Sequence, residues 1–263
     1  MSAPLVLEVR DLALAFGGVQ ALSAFFLTVR RGEIMALIGP NGAGKTTVFN
    51  CLSGLYRPDA GSVGLAAADG AMVQLAGRRP DEIVACGLAR TFQNIRLFRG
   101  MSVQENVMVG FHCRTRAGVL GAVFRSAAVR AEEERVEAGS RELLRRVGLT
   151  GLEEEMAGTL AYGAQRRLEI ARALAAAPKL LLLDEPAAGM NPQEGGELME
   201  LIRSLRADGI SILLIEHDMH LVMRLCDRVT VLDTGRSIAV GSPEQVQADP
   251  AVIRAYLGDE LDA

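Results

Sequence analysis

The sequence predicts an α/β fold: a sheet covered on both faces, a β-rich N-terminal region and a helical insertion of about seventy residues. Three observations predict it. Two apolar runs, Leu180-Leu-Leu-Leu183 and Ile210-Ser-Ile-Leu-Leu-Ile215, lack alternation, as central strands buried on both sides do. A third run, Glu33-Ile-Met-Ala-Leu-Ile38, leads straight into the glycine-rich stretch Gly39-Pro-Asn-Gly-Ala-Gly-Lys-Thr46, with helical sequence from Lys45. From about residue 102 the pattern turns helical, until the strand at Leu180.

Leu5-Val-Leu-Glu-Val9 and Phe25-Phe-Leu-Thr-Val29 read as strands, and Arg31-Gly32 is the turn into the strand at 33–38. Ser102-x-x-Glu105 is a capping box ahead of the apolar residues Val107 and Val109. A long helical stretch follows over Val119–Val147, with Glu132-Glu-Glu134, Arg130 and Arg135 on solvated faces. Leu160–Leu174 predicts a helix with Gly163 at its mouth and two arginines in its first turns. Its free N–H groups and dipole suit an anion, and an ordinary helix start on which Gly163 only makes the turn fits the same residues. Arg228–Val240 reads as a hairpin turning at Thr234-Gly235, and Ser242-Pro243-x-Gln245 caps a last short helix. Neither an internal repeat nor a low-complexity linker divides the 263 residues, which are expected to form one domain, 1–263.

Composition narrows the function. Hydrophobic residues make up 49% and charged residues 23%, as in a globular chain rather than a disordered one. A net charge of -4 disfavours a nucleic-acid binder. The 4 cysteines lie far apart, with no C-x-x-C pair, so reduced thiols are expected rather than disulfides or zinc. The N-terminus has no signal-peptide pattern, and no apolar run approaches the roughly 18–20 residues that span a bilayer. A cytoplasmic protein that meets a membrane only through partners is the expectation.

Gly39-x-x-x-x-Gly44-Lys45-Thr46, between a strand and a helix, is a P-loop. Its glycines let backbone N–H groups surround phosphates, Lys45 reaches the β- and γ-phosphates, and the Thr46 hydroxyl suits Mg²⁺. Leu180–Glu185 is an apolar strand ending in two carboxylates. Asp184 is placed to hold Mg²⁺ through its water shell, and Glu185 to accept a proton from an attacking water. His217, in Ile215-Glu-His-Asp218, follows another buried strand. In a doubly wound sheet it lies beside the P-loop strand and can donate to a γ-phosphate; a lone histidine at a strand end is otherwise an ordinary satisfied polar group. Gln93, in Arg90-Thr-Phe-Gln93, says nothing on its own.

In this order the motifs resemble the nucleotide-binding subunit of ABC transporters: the P-loop, the Q-loop Gln93, the signature Leu160-Ala-Tyr-Gly-Ala164, the Walker B pair Asp184-Glu185, the D-loop Ala187–Asn191 and the switch His217. The resemblance implies an ABC-type P-loop ATPase with a mixed-sheet RecA-like core, an N-terminal antiparallel β subdomain and an α-helical insertion subdomain. Core and β subdomain would span about 1–92 and 166–263, and the helical subdomain about 93–165. ATP and Mg²⁺ are the implied ligands. Adenine would stack on Phe16, and phosphates would be held by Gly39, Pro40, Asn41, Gly42, Ala43, Gly44, Lys45, Thr46 and Thr47. Thr46, Gln93 and Asp184 would serve the metal; Glu185, His217, Lys45 and Gln93 would carry catalysis. Two chains, identical or paralogous, would pack head to tail, each ATP lying between the P-loop of one and Ala161, Tyr162, Gly163, Ala164 and Gln165 of the other. Integral-membrane permease subunits would be partners, with a periplasmic solute receptor reached through them. A groove near Ile95 to Phe98 would receive a permease helix; burial of Leu97-Phe98 in the subdomain core is the alternative.

Arg90-Thr-Phe-Gln-Asn-Ile-Arg-Leu-Phe98, the Tyr-Gly signature, Asp184–Pro192, Glu216-His-Asp-Met219 and the tail Val252–Leu257 resemble one branch, importers of branched-chain and other hydrophobic amino acids. Amide and urea importers are close to it, and export ATPases for lipid or polysaccharide share the nucleotide chemistry. Departures from the pattern are Ala161 for serine, Gln165 displaced by Ala164, Asn191 for aspartate and Phe16 for tyrosine. The lost hydroxyl at Ala161 is worth only about 0.5–1.5 kcal/mol. Soluble ABC ATPases acting on DNA or ribosomes carry a coiled coil or a second nucleotide domain, and this chain has neither. A simple phosphotransferase has no use for the Gly163 helix.

Overall fold

The computed structural model describes residues 3–115 and 127–261. Strands β1 (Leu5–Phe16) and β2 (Val19–Arg30) form a long antiparallel pair, and β3 (Ile34–Ile38) leaves it to enter a second sheet. Helix α1 (Lys45–Leu52) follows β3, and the chain returns to the first sheet as β4 (Ala60–Ala66) and β5 (Met72–Gln74). That sheet has the order β2-β1-β4-β5 and is antiparallel throughout. Helix α2 (Pro80–Cys86) and strand β6 (Leu88–Arg90) lead to the helical region: α3 (Val103–Gly110), α4 (Ala127–Arg146) and α5 (Tyr162–Leu174). The rest alternates as β7 (Leu180–Asp184), α6 (Pro192–Ala207), β8 (Ser211–Ile215) and α7 (Met219–Leu225). Strands β9 (Arg228–Asp233) and β10 (Arg236–Gly241) and helices α8 (Pro243–Gln247) and α9 (Pro250–Leu261) complete it.

The second sheet has the order β10-β9-β3-β8-β7-β6. All its pairings are parallel except the β9–β10 hairpin, so the sheet is mixed. The predicted apolar runs are its centre, and every residue of β3, β7 and β8 is buried. Alternation sends them to two cores. Ile34, Ala36, Leu181, Leu183 and Leu214 pack with Val107 of α3, Leu144 of α4, Leu168 of α5 and Ile202 of α6. Met35, Leu37, Leu180, Leu182 and Leu213 pack with Leu7, Val9 and Phe25 of the first sheet and Val48 and Phe49 of α1. Each such leucine contributes about 1.5–3 kcal/mol on burial. Helix α5 runs through residue 165, so the helical insertion and the sheet core share one continuous helix.

Several expectations are sharpened or corrected. Ser102 and Glu105 form the predicted capping box, and the hairpin at Thr234-Gly235 is present. Val107 is buried, whereas Val109 is exposed. The stretch 119–126 of the long predicted helix lies outside the described residues; in the remainder Arg130, Glu133, Glu134 and Arg135 are exposed as expected and Glu132 is half-buried. The short helix capped by Ser242 is not the last: Asp249 accepts the Ala251 N–H at 2.8 Å and Pro250 starts α9. Elements β4, β5, α2 and β6 are additional to those predicted.

Candidate active site

After β3 the chain turns through Gly39, Gly42 and Gly44, with φ of 153°, 79° and 105°. At Gly39 a Cβ would stand 2.0 Å from the Leu232 carbonyl oxygen, and at Gly44 2.8 Å from that of Ala21. Both neighbours are backbone, so only glycine fits. Gly44 is the N-cap of α1 and places no side chain over the helix's first N–H groups. Lys45 is 7% exposed, and its Nζ donates to the Gly39 and Pro40 carbonyls at 2.7 and 2.8 Å. Burial draws its ammonium below the usual lysine range, while the Glu185 charge opposes the shift. Burial raises the Tyr256 phenol of α9 above its usual range, and the nearby Gly39 backbone opposes the rise, a proximity the sequence did not announce.

Glu185 leaves the end of β7 with φ 47°, in the left-handed region. Its carboxylate accepts the Gln93 Nε2–H at 2.9 Å and lies 2.7 Å from His217 Nε2. Three side chains distant in sequence meet here because β8, β7 and β6, which they follow, are neighbours in the sheet beside β3. They line a cavity of about 270 Å³ with Asn41, Gly42, Gly44, Lys45, Thr46 and Thr47. Buried Glu216, missed at the sequence level, ties the region together: Oε1 accepts the Ala187 N–H at 3.0 Å and Oε2 that of His217 at 3.2 Å. Burial raises the Glu216 carboxyl above its usual range against those hydrogen bonds.

Asp184 lines an adjoining cavity of about 440 Å³ with Thr46 and Gln93. Its Oδ2 accepts Arg90 Nη2–H at 2.9 Å, with side-chain exposures of 5% for Arg90 and 4% for Asp184. Arg90 also donates to Asn50 Oδ1 at 2.7 Å and to Ser53 Oγ at 2.9 Å, and lies over the Phe49 and Phe92 rings. It thus joins α1 to the end of β7. The sequence-level signal was a charged residue closing the short apolar stretch Leu88–Arg90.

Phe16 is 46% exposed, and its ring meets Tyr56 edge-on at 5.2 Å between centroids. Residues 161–165 stand apart from the cavity beside the P-loop. Ala161 is the N-cap of α5 and gives no side-chain hydrogen bond, so the helix start is open. Gln165 Nε2 donates to the Leu160 carbonyl at 2.8 Å, and the exposed Tyr162 takes Arg166 Nη2–H on its hydroxyl at 3.0 Å. A Cβ on Gly163 would meet Glu194 Oε1 at 2.6 Å. In the D-loop, Asn191 is the N-cap of α6 and closes a capping box with Glu194, a role aspartate fills equally well. Leu97 packs on the core while Phe98 is 50% exposed, so burial in the subdomain core holds for Leu97 and not for Phe98. Phe98 lines a cavity of about 370 Å³ with Val84 of α2, Val109 of α3 and Arg172 of α5.

Comparison with known proteins places this geometry. The profile of the family described as ABC transporter matches residues 22–188, and that of Branched-chain amino acid ATP-binding cassette transporter matches residues 236–262. Over 98% of its length the chain is 45% identical to the whole of the high-affinity branched-chain amino acid transport ATP-binding protein BraF of Pseudomonas aeruginosa. It is 46% identical, again over 98% of its length and the whole of the relative, to LivG of Escherichia coli, which bears the same description. It is 32% identical, over 97% of this chain and 98% of the relative, to the lipopolysaccharide export system ATP-binding protein LptB of Haemophilus influenzae. The crystal structure of an ABC transporter ATP-binding cassette in its ADP conformation superposes with a TM-score of 0.82 at 31% identity, covering 97% of this chain and 99% of that one. The chain belongs to the ABC transporter family, as a nucleotide-binding ATPase subunit of the branched-chain amino acid transport branch.

Proposed function

We propose that two such chains close head to tail over two ATP molecules and drive uptake of branched-chain, hydrophobic amino acids through permease subunits. The observation that carries the hydrolytic reading is the meeting of Glu185 with Gln93 and His217 beside the P-loop. Glu185 takes the proton of the attacking water, and His217 holds that carboxylate and donates toward the γ-phosphate. Lys45 leaves the loop carbonyls for phosphate oxygens, and the P-loop N–H groups neutralise charge as it builds. Phe16 carries the adenine on its open face. The γ-phosphate bridges one chain's P-loop and the partner's Gly163, so ATP favours closure and hydrolysis releases it.

Mg²⁺ suits the oxygen donors at hand: the Thr46 hydroxyl, the Gln93 amide oxygen left when its nitrogen binds Glu185, and the Asp184 carboxylate. Among the described residues no three His, Cys, Asp or Glu side chains gather to hold a metal, so the ion depends on nucleotide oxygens as well. Bound there, it supplies charge neutralisation on the phosphates.

Among the described residues no helix is long and apolar enough to cross a membrane. A cytoplasmic position on the inner face of the membrane, held by permease subunits, follows from the transport reading. The cavity at Phe98 is the receiving groove for a permease helix, and the solute receptor is reached only through the permease. Export of lipopolysaccharide type remains the second reading because of the LptB likeness, and 45% against 32% identity favours import.

Glu185→Gln tests the assignment. It is expected to bind MgATP, form a stable dimer by light scattering and hydrolyse at least about 100-fold more slowly. A monomer in MgATP contradicts the assigned role.

A further inference from the structure

Helix α5 turns one face to the loop that carries Gln93. Arg166, Glu169 and Arg172 stand three residues apart on that face, and all three meet backbone groups of residues 92–96. Arg166 Nη1 donates to the Phe92 carbonyl at 2.6 Å, and its Nη2 donates to the Gln93 carbonyl. Glu169 Oε1 accepts the N–H groups of Phe92 and Arg96, each at 3.4 Å. Arg172 Nη1 donates to the Arg96 carbonyl at 2.5 Å. The side chains of Arg166 and Glu169 are 3% and 1% exposed.

So buried a carboxylate stays in place only when its charge and lone pairs are matched. Arg166 at 3.4 Å and Arg172 at 3.9 Å match the charge, and the loop's two N–H groups take a share of the oxygens. Burial raises the Glu169 carboxyl above its usual range, and these same partners oppose the rise. Moving the loop off the helix would take the carbonyl acceptors from Arg166 and Arg172 and the two N–H donors from Glu169. Loop and helix are therefore held as one piece. At one end of that piece is Gly163, and at the other the Gln93 amide reaches Glu185 at 2.9 Å.

We infer that Arg166 and Glu169 are positioning residues that carry the placement of the Gly163 end of α5 to Gln93, and through its amide to Glu185 of the same chain. The inference rests on the shared-site reading, in which Gly163 answers the partner's nucleotide. Each chain then links the two ATP sites internally: a nucleotide on the partner's P-loop, meeting Gly163, adjusts how this chain's own Glu185 is held. No contact between the two nucleotides is needed.

The test is a double-mutant cycle on the full chain, read by phosphate release at saturating MgATP and a protein concentration at which dimers dominate. Glu169→Gln is expected to slow hydrolysis about tenfold, with ATP affinity held within about twofold. In a Gln93→Ala background it is expected to change the rate by less than about twofold, because its route runs through Gln93. A further tenfold loss in that background overturns the inference. If Glu169→Gln melts below the assay temperature, Arg166→Lys takes its place, with the same non-additivity expected. Amide hydrogen exchange over residues 91–98 reads the same link without activity, and decides if Gln93→Ala is too slow to follow. MgATP is expected to slow exchange there in the parent chain, and Glu169→Gln to lose that response; an unchanged response overturns the inference. Parent-chain activity that stays flat with protein concentration counts against the shared site instead, so the two failures are told apart.

Discussion

Arg90 shows how much one side chain can hold. Its guanidinium is nearly inaccessible, and it reaches Asp184 on β7 and Asn50 and Ser53 at the end of α1. Burial draws its pKa down, and the Asp184 charge opposes this. Removing one partner of such a pair leaves a charge with neither water nor counter-ion, which costs about 3–5 kcal/mol. Arg90→Met is thus expected to lower the unfolding free energy, read by urea denaturation, by that amount. Adding Asp184→Asn should return part of it, because a neutral amide requires no cation. If the double variant is as unstable as the sum of the singles, the pairing is not the source of the loss.

For the α5 helix the telling feature is its open N-terminus. Ala161 leaves the first N–H groups without a side-chain cap, and the neighbouring Glu194 lies where a Gly163 Cβ would go. That glutamate is the far end of a flexible side chain and also half of the α6 capping box. A residue larger than glycine displaces it, at a stability cost of about 1 kcal/mol, the scale of a cap. Gly163→Trp is therefore expected to remain folded and to bind ATP as an isolated subunit, by fluorescence titration, while hydrolysis falls below detection. Joint loss of binding and hydrolysis would place the signature in its own chain's site.

At the level of the molecule, the P-loop cavity gathers Lys45, Gln93, Glu185 and His217, while residues 161–165 stand outside it. In the proposed head-to-tail pair, one chain presents two half-sites. ATPase activity per subunit is expected to rise with protein concentration at saturating MgATP and to level off once dimers dominate. Activity independent of concentration would mean that a single chain completes the chemistry.

The P-loop, the carboxylates Asp184-Glu185 at a strand end and the Ser102 capping box were legible because each depends on neighbours a few positions away along the chain. Strand character in Leu180–Leu183 was legible for the same reason: a continuous apolar run has few other uses. Strands β4, β5 and β6 were not, because their small or short sequences have no period of their own and owe their shape to pairing with β1, β4 and β7 respectively. Helix α2 shows the opposite failing: Pro80-Asp-Glu82 was a readable start that went unread. What the chain could not spell out was which distant groups would share a buried charge. Arg90 and Asp184 lie 94 residues apart, and Arg166 meets backbone 73 and 74 residues away. Such partners are chosen by packing, since once the sheet closes each desolvated ion must settle against whatever counter-charge the fold brings near. Local chemistry was written in residue order; the mutual support of Gln93, Glu185, Arg90 and Glu169 arose only when the ends of β6 and β7 and helix α5 came together.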